Sequence, residues 1–457
     1  MEPHPGPSSH EKGSPSDGPA IATSPADVAH LLSRAGFGAV PAEIAELQVL
    51  DWPDLVEYVL DPSRAEPADV GVPDDLDAEQ RGYWETYVDL VWFWLDRCRT
   101  SRSPLVEKMV LFWHGHLCSS IDKVNQRELM LEQNQLFRTS GLGGFEDLIQ
   151  QMSVQPAMLL YLDNDRNVAG APNENFAREL MELFTLGVGN YTEADVRAAA
   201  RAWTGFGLVD ETRFNFDPAA HDTGDKTFFG ATGDWSGPDI VEQIVFGPKQ
   251  DVVTRFIAAK AWSFFAYPNP EPEVIDDVAE AFRSSDMDIT AMLRAVFNHP
   301  GFRSDHARTA LVRSPIEFTV WTMRTTGLDC ARAHPEWTLE QMGQAPFRPP
   351  TVAGWKQNGY WISASALWAK SQFAGNVRWV LADEEDALAW VGNYEAPPDP
   401  EVAVDAALDL FGLTSPTTVT RDALVRFVAG QQAAGEHWRA RAGLLYLPML
   451  TPEFQLA

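Results

Sequence analysis

Three glutamates and an arginine recur at helical spacing in the run Asn-Glu-Asn-Phe-Ala-Arg-Glu-Leu-Met-Glu-Leu-Phe-Thr-Leu-Gly from Asn173 to Gly187. At about 100° per residue, Glu174, Asn175, Arg178, Glu179 and Glu182 share one arc, while Phe176, Ala177, Leu180, Met181, Leu183 and Phe184 fill the other. The polar arc has two readings. Glu174 to Arg178 and Arg178 to Glu182 are i,i+4 steps, so it fits a solvated, charge-laced face. Alternatively the carboxylates, with Arg197 or Arg201 from the following helix, line an internal cleft and do acid/base or metal chemistry. Asparagine is a poor interior helix former, and Glu179 and Glu182 crowd like charges. The sharper expectation is therefore an arc facing inward, with Glu174 and Arg178 buried and paired.

Histidines supply the other chemistry. In His114-Gly115-His116 the imidazoles lie two residues apart, about 200° on a helix, and reach one metal only if Gly115 ends that helix. His114, His116 and Glu174 are the metal-ligand candidates; otherwise one imidazole hydrogen-bonds in the core and the other sits at its edge. His221-Asp222-Thr-Gly224-Asp225-Lys226 places a histidine, two aspartates and a lysine in one loop, a set suited to lining a cleft. A His-Asp doublet alone is weak evidence of metal hydrolysis. His30 and Arg34, an i,i+4 pair, either face a site or form a polar seam. Asp163-x-Asp165-x-Asn167 opens like a calcium loop, but Val168 stands where the sharp turn needs glycine, so these side chains are expected to bond their own backbone. Trp355, in the Pro/Gly loop from Pro346 to Gly359, either offers a stacking platform or pins the loop to the core.

The elements that must position these residues are helical. Ser24-Pro25-Ala-Asp27, Thr192 with Asp195, and Ser314-Pro315-Ile-Glu317 are helix starts, the first two written as capping boxes. Gly187 suits a left-handed helix end. Tyr83 to Cys98 is too aromatic for a solvent face and reads as a core helix. Periodicity fails from Phe206 to Trp235, where phenylalanines and glycines suggest short strands. The expected fold is mainly α, a large single helical domain over 24–457 with a small β-containing insertion near 206–235. A Pro/Ser/Gly-rich tail over 1–23 is expected to be disordered.

Composition narrows the partners. With 35 basic against 65 acidic residues, the formal charge of −30 repels phosphate backbones, so no nucleic-acid partner is expected. No apolar run is long enough to span a membrane. Cys98, Cys118 and Cys330 are too scattered for a disulfide framework or zinc cluster. A monomer or weak dimer is expected. No apolar leader is visible near the start, so the simplest compartment is cytoplasmic.

Eight segments together resemble, in order, the bacterial family catalogued as domain of unknown function 1800. They are His30 to Gly38, Phe112 to His116, Asn173 to Gly187, Ala202 to Phe206, His221 to Lys226, Arg313 to Glu317, Pro349 to Trp355 and Thr451 to Phe454. The resemblance implies one continuous, mostly helical unit from about residue 24 onward. Family members often look exported and often lie beside another family resembling secreted hydrolases, which keeps export open. The recurrent polar positions fall on His30, Arg34, His114, His116, Asn173, Glu174, Asn175, Arg178, Glu179, Glu182, His221, Asp222, Lys226 and Trp355. That pattern implies a polar internal site. The two functions it leaves are an enzyme, such as a hydrolase assisted by a divalent metal, and a helical module that engages a partner protein or glycan. For the enzyme, Glu174, Arg178, Glu179, Glu182, His221 and Asp222 are the catalytic candidates, and Arg34, Lys226 and Trp355 the binding ones.

Overall fold

The computed structural model describes residues 23–65, 70–382 and 399–457. Residues 1–22 of the expected tail lie outside them. The fold is mainly α, with helices from Pro25–Ala35 to Pro452–Gln455 and two small antiparallel sheets. Strand β1 (Phe206–Val209) pairs with β2 (Arg213–Phe216), and β3 (Lys226–Phe228) with β4 (Ala231–Gly233), inside the stretch where helical periodicity fails. Among the described residues no helix is long and apolar enough to cross a membrane.

Local sequence explains where helices start. Ser24, Thr192 and Ser314 each form a full capping box, two of them followed by proline at the first helical position. One apolar core cluster includes residues from Val28 to Phe454, with Trp94, Trp113, Trp203 and Trp262 fully buried. The Pro104–His116 helix adds Leu105, Met109, Val110 and Trp113 to that core. Gly115 does not end this helix, which runs through His116.

The Asn173 to Gly187 segment departs from a regular helix. Its α-helical part, Asn175–Glu179, passes into a π-helix, Leu180–Thr185, in which the Leu186 N–H reaches back to Met181 O at 3.0 Å and Thr185 Oγ1 donates to Leu180 O at 2.6 Å. Wide turns of this kind are uncommon and concentrate at functional sites. Here the Phe184 carbonyl at the end of the turn accepts a hydrogen bond from His116 Nε2 at 2.9 Å. The segment stops at Gly187, whose φ of 80° is the left-handed conformation expected of it.

Candidate functional site

A buried lysine stands next to Glu107 in the first half of the Pro104–His116 helix. Lys108 is 1% exposed, and its Nζ donates to Gly36 O at 3.0 Å and to the Glu317 carboxylate. Glu317 is fixed by its own helix start: Oε2 accepts the Ser314 N–H at 2.7 Å, and Ser314 Oγ accepts the Glu317 N–H at 3.3 Å. The cap that begins the Pro315–Thr326 helix therefore also aims a carboxylate at Lys108.

Three more cations surround that pair. Arg34 is buried and donates through Nη2 to the main-chain oxygens of Ala307 and Ala457, while its Nε and Nη1 have no hydrogen-bond partner among the described residues. Arg313 lies over the Trp321 ring, 4.0 Å from its centroid, and its Nε also has no hydrogen-bond partner among the described residues. Lys370 is wholly buried and donates to Gln455 Oε1 at 2.8 Å. Ring faces and carbonyl dipoles offset part of the cost of burying these charges. They do not supply a counter-charge.

The electrostatics follow that imbalance. Burial pulls Arg34 down to about 9, with Arg313 pushing the same way and Glu317 opposing. Arg313 falls to about 10 and Lys370 to about 8, burial again the main cause. A guanidinium does not deprotonate in a protein, so for the arginines these directions measure the cost of holding a buried charge. Burial raises the Glu317 carboxyl, but Lys108 and Ser314 outweigh it and leave it below its ordinary value. Four cations thus face one carboxylate, or two if Ala457 carries a free one.

A cleft opens beside this cluster. Its inner chamber, about 220 Å³, is lined by Arg34, Lys108, Ser314, Glu317, Gln344 and Trp355 among others. Its outer chamber, about 460 Å³, includes His116, Leu183, Phe256, Lys260 and Trp355. Gly115, Ser263, Phe264, Trp355 and Gln357 line both, so the two adjoin. Trp355 is pinned rather than presented, 8% exposed and edge-on to His114 at 5.3 Å between centroids. The preceding Gly354 has φ 76° and crosses Gly115 so closely that a Cβ would overlap the Gly115 carbonyl oxygen.

The two histidines of the Pro104–His116 helix point to different tasks. His114 Nε2 accepts the Phe347 N–H at 3.1 Å, whereas His116 Nε2 donates to Phe184 O. They therefore use opposite tautomers. Burial pushes His114 down to about 3, and burial with Lys260 nearby pushes His116 down to about 4, so both are neutral near pH 7. Among the described residues no group of three His, Cys, Asp or Glu side chains is gathered to hold a metal ion. His114, His116 and Glu174 are not brought together in such a group.

The remaining sequence candidates lie elsewhere. Arg178 pairs with Glu174 at 3.0 Å and with Glu193 at 2.7 Å, but the side chains of Glu174 and Arg178 are 38% and 32% exposed. This corrects the expectation of an inward arc: the apolar face, with Phe176, Leu180, Met181 and Phe184, occupies the core and leaves the charges at the rim. Burial, then Glu182, raises the Glu179 carboxyl, and Glu182 accepts from the Tyr191 hydroxyl. Asp222 takes both Nε and Nη2 of Arg201, at 2.7 and 2.9 Å, and its N–H donates to Thr204 Oγ1 at 2.7 Å. The His221 ring meets Thr204 O through Nδ1 at 2.7 Å. Lys226 is buried with Asp234 as its ion-pair partner at 3.3 Å. Arg201 and Thr204 thus hold the loop between the two hairpins at the end of the Glu193–Ala202 helix. Asn167 Oδ1 accepts the Asn173 N–H at 2.9 Å, the loop-bonding role expected of that stretch.

Of the binding candidates, Arg34 and Trp355 reach the cleft, as does His116. His30 Nε2 instead meets Phe302 O at 2.9 Å. Lys108, Lys260 and Gln344 line the cleft without being singled out by the sequence, and Arg313 and Lys370 belong to the buried cation cluster but line neither chamber. Lys108 had a signal, a charged Glu107–Lys108 step inside an otherwise apolar helix, and Arg313 and Glu317 flank a recognisable helix start. Lys370 and Gln344 carry no such pattern.

The family model described as "Protein of unknown function (DUF1800)" matches residues 30–456. The chain belongs to that family. No curated protein and no solved structure matches it.

Proposed function

For this member of the family, we propose that the chain binds a small organic anion in the two-chamber cleft, the stretch 24–457 acting as one unit. The observation that carries this reading is the charge imbalance around Lys108 and Glu317: buried charges need counter-charges, and Arg34 keeps two buried nitrogens, Nε and Nη1, unmatched among the described residues beside the inner chamber. An anionic group in the inner chamber would complete the cluster. The body of the ligand would then pass Trp355 into the outer chamber, where Lys260 and the neutral His116 stand. Together the chambers have the size of an ordinary small-molecule site.

A metal-assisted hydrolase draws less support. The glutamates at 174, 179 and 182 and the His221–Asp222 pair are absent from the lining of both chambers. A partner protein or glycan is favoured by a different observation, the exposure of Tyr360, Trp368 and Trp379 at 59%, 58% and 64%. Changing Trp368 and Trp379 to alanine would separate the readings, because partner capture would fall while anion binding stayed.

Calorimetric titration with small carboxylates and inorganic phosphate tests the primary reading. Saturable heat in the wild type that disappears in Lys108→Met is the expected result. A folded protein that takes up none of these anions would overturn it.

A further inference from the structure

We propose that the ligand of the central cleft is a dianion with an anionic group at each end and an apolar middle, a dicarboxylate being its simplest form, and that Lys260 holds the outer end. This rests on the anion-binding reading given above, in which the inner end lies beside Arg34 and Lys108.

One wall of the outer chamber comes from a single helix, Gln250–Phe265. Phe256, Ala259, Lys260, Ser263 and Phe264 line that chamber and follow the spacing i, i+3, i+4, i+7, i+8, which puts them on one face of the helix. The core is met by a different face, with Val253, Ile257, Ala261 and Phe265. Lys260 is the only charged side chain among the described residues that line the outer chamber, and it stands on an otherwise apolar or uncharged stripe.

Nothing in the protein neutralises it. Arg255, on another side of the same helix, pairs with Asp276, whereas among the described residues no carboxylate pairs with Lys260. Its Nζ lies 5.3 Å from the Phe256 ring centroid, a contact that offsets part of the cost of desolvating the ammonium without bringing a counter-charge. Although the residue is open to solvent, the surrounding walls lower its pKa, and the one group pulling the other way is the Cys118 thiol, which burial keeps protonated. His116 shares the chamber but is neutral, with Nε2 committed to Phe184 O, so it adds no positive charge.

Phe264 connects the two ends. It lines both chambers, its ring centroid is 5.4 Å from Lys108 Nζ, and Lys260 precedes it by one helical turn. With the Trp355 ring it gives the passage between the two ammonium groups an aromatic wall, which suits methylene groups rather than a charged middle. A single ammonium matches the single charge of a carboxylate.

The test is calorimetric titration of the full chain with hexanoate and with unbranched dicarboxylates from succinate to suberate, on the wild type, Lys260→Met and Lys108→Met. Lys260 is exposed, so its replacement leaves the fold intact. At one chain length the dicarboxylate should bind the wild type on the order of tenfold or more tightly than hexanoate does. That preference should collapse in Lys260→Met, and Lys108→Met should abolish the binding of both ligands. Hexanoate binding that matches every dicarboxylate, or a preference that survives Lys260→Met, would overturn the dianion and leave the anion site at Lys108 standing. A folded wild type that binds neither kind of ligand, or binding that survives Lys108→Met, would overturn both.

Discussion

Gly354 rests against the carbonyl of Gly115, and that crossing is what seats the Trp355 loop on the Pro104–His116 helix. Two glycine-bearing segments distant in sequence thus meet at one point, the wall shared by both chambers of the cleft. Gly354→Ala would combine a positive φ with a main-chain overlap. A loss of about 2 kcal/mol or more in a urea melt is expected. Little change would show that the loop can lift without cost.

Glu317 is the carboxylate on which Lys108, Arg34, Arg313 and Lys370 all depend. Glu317→Gln leaves buried cations without a counter-charge and should cost about 3–5 kcal/mol at neutral pH. Because its folded-state pKa lies below the ordinary 4.5, its contribution is present above that value and lost as pH falls below it. The difference between wild type and Glu317→Gln should therefore shrink in acid denaturation curves.

His30, His114 and His116 are buried and neutral, lowered from 6.5 to about 3, about 3 and about 4. A depressed histidine pKa means the unfolded chain binds more protons, so stability rises with pH across this window and falls as pH drops below 6.5. At pH 5 each should cost about 2 kcal/mol relative to pH 7. Melts of the His114→Gln variant would show a weaker dependence between pH 7 and 5; an unaltered slope would contradict the burial of that charge change.

Glu174→Ala should cost well under about 1 kcal/mol, since the pair is partly exposed and Arg178 keeps Glu193. Asp222→Asn should act locally instead. It breaks a two-point contact to Arg201, so proteolytic cleavage within 206–235 is expected at conditions where the wild type resists.

The helices were legible because their starts carry local chemistry: Ser24, Thr192 and Ser314 cap where their sequence says they should. The loss of periodicity from Phe206 to Trp235 likewise marked the two hairpins. The cleft was only half legible. Arg34, His116 and Trp355 stood out, but the partners of Arg34 come from positions more than 270 residues away, and no local pattern encodes such a meeting. The π-turn at Leu180–Thr185 was missed for a related reason: its distinguishing contact, His116 on Phe184 O, belongs to another helix. Low helix propensity around Glu174 and Arg178 does not signal burial, because Asn167 and Asn173 use their amide oxygens to accept main-chain N–H groups of the entering loop.

The most direct measurement is isothermal titration of the full chain with acetate, citrate and inorganic phosphate, in the wild type, Lys108→Met, Ser263→Leu and Arg102→Ala. At least one anion should bind the wild type saturably and raise its melting temperature. That binding should vanish in Lys108→Met and Ser263→Leu, the latter filling the shared wall while leaving every cation in place, and persist in Arg102→Ala, a control at an exposed arginine outside the cleft. No binding by the folded wild type, or binding unaltered by both cleft variants, would contradict an anion site at Lys108 and Glu317.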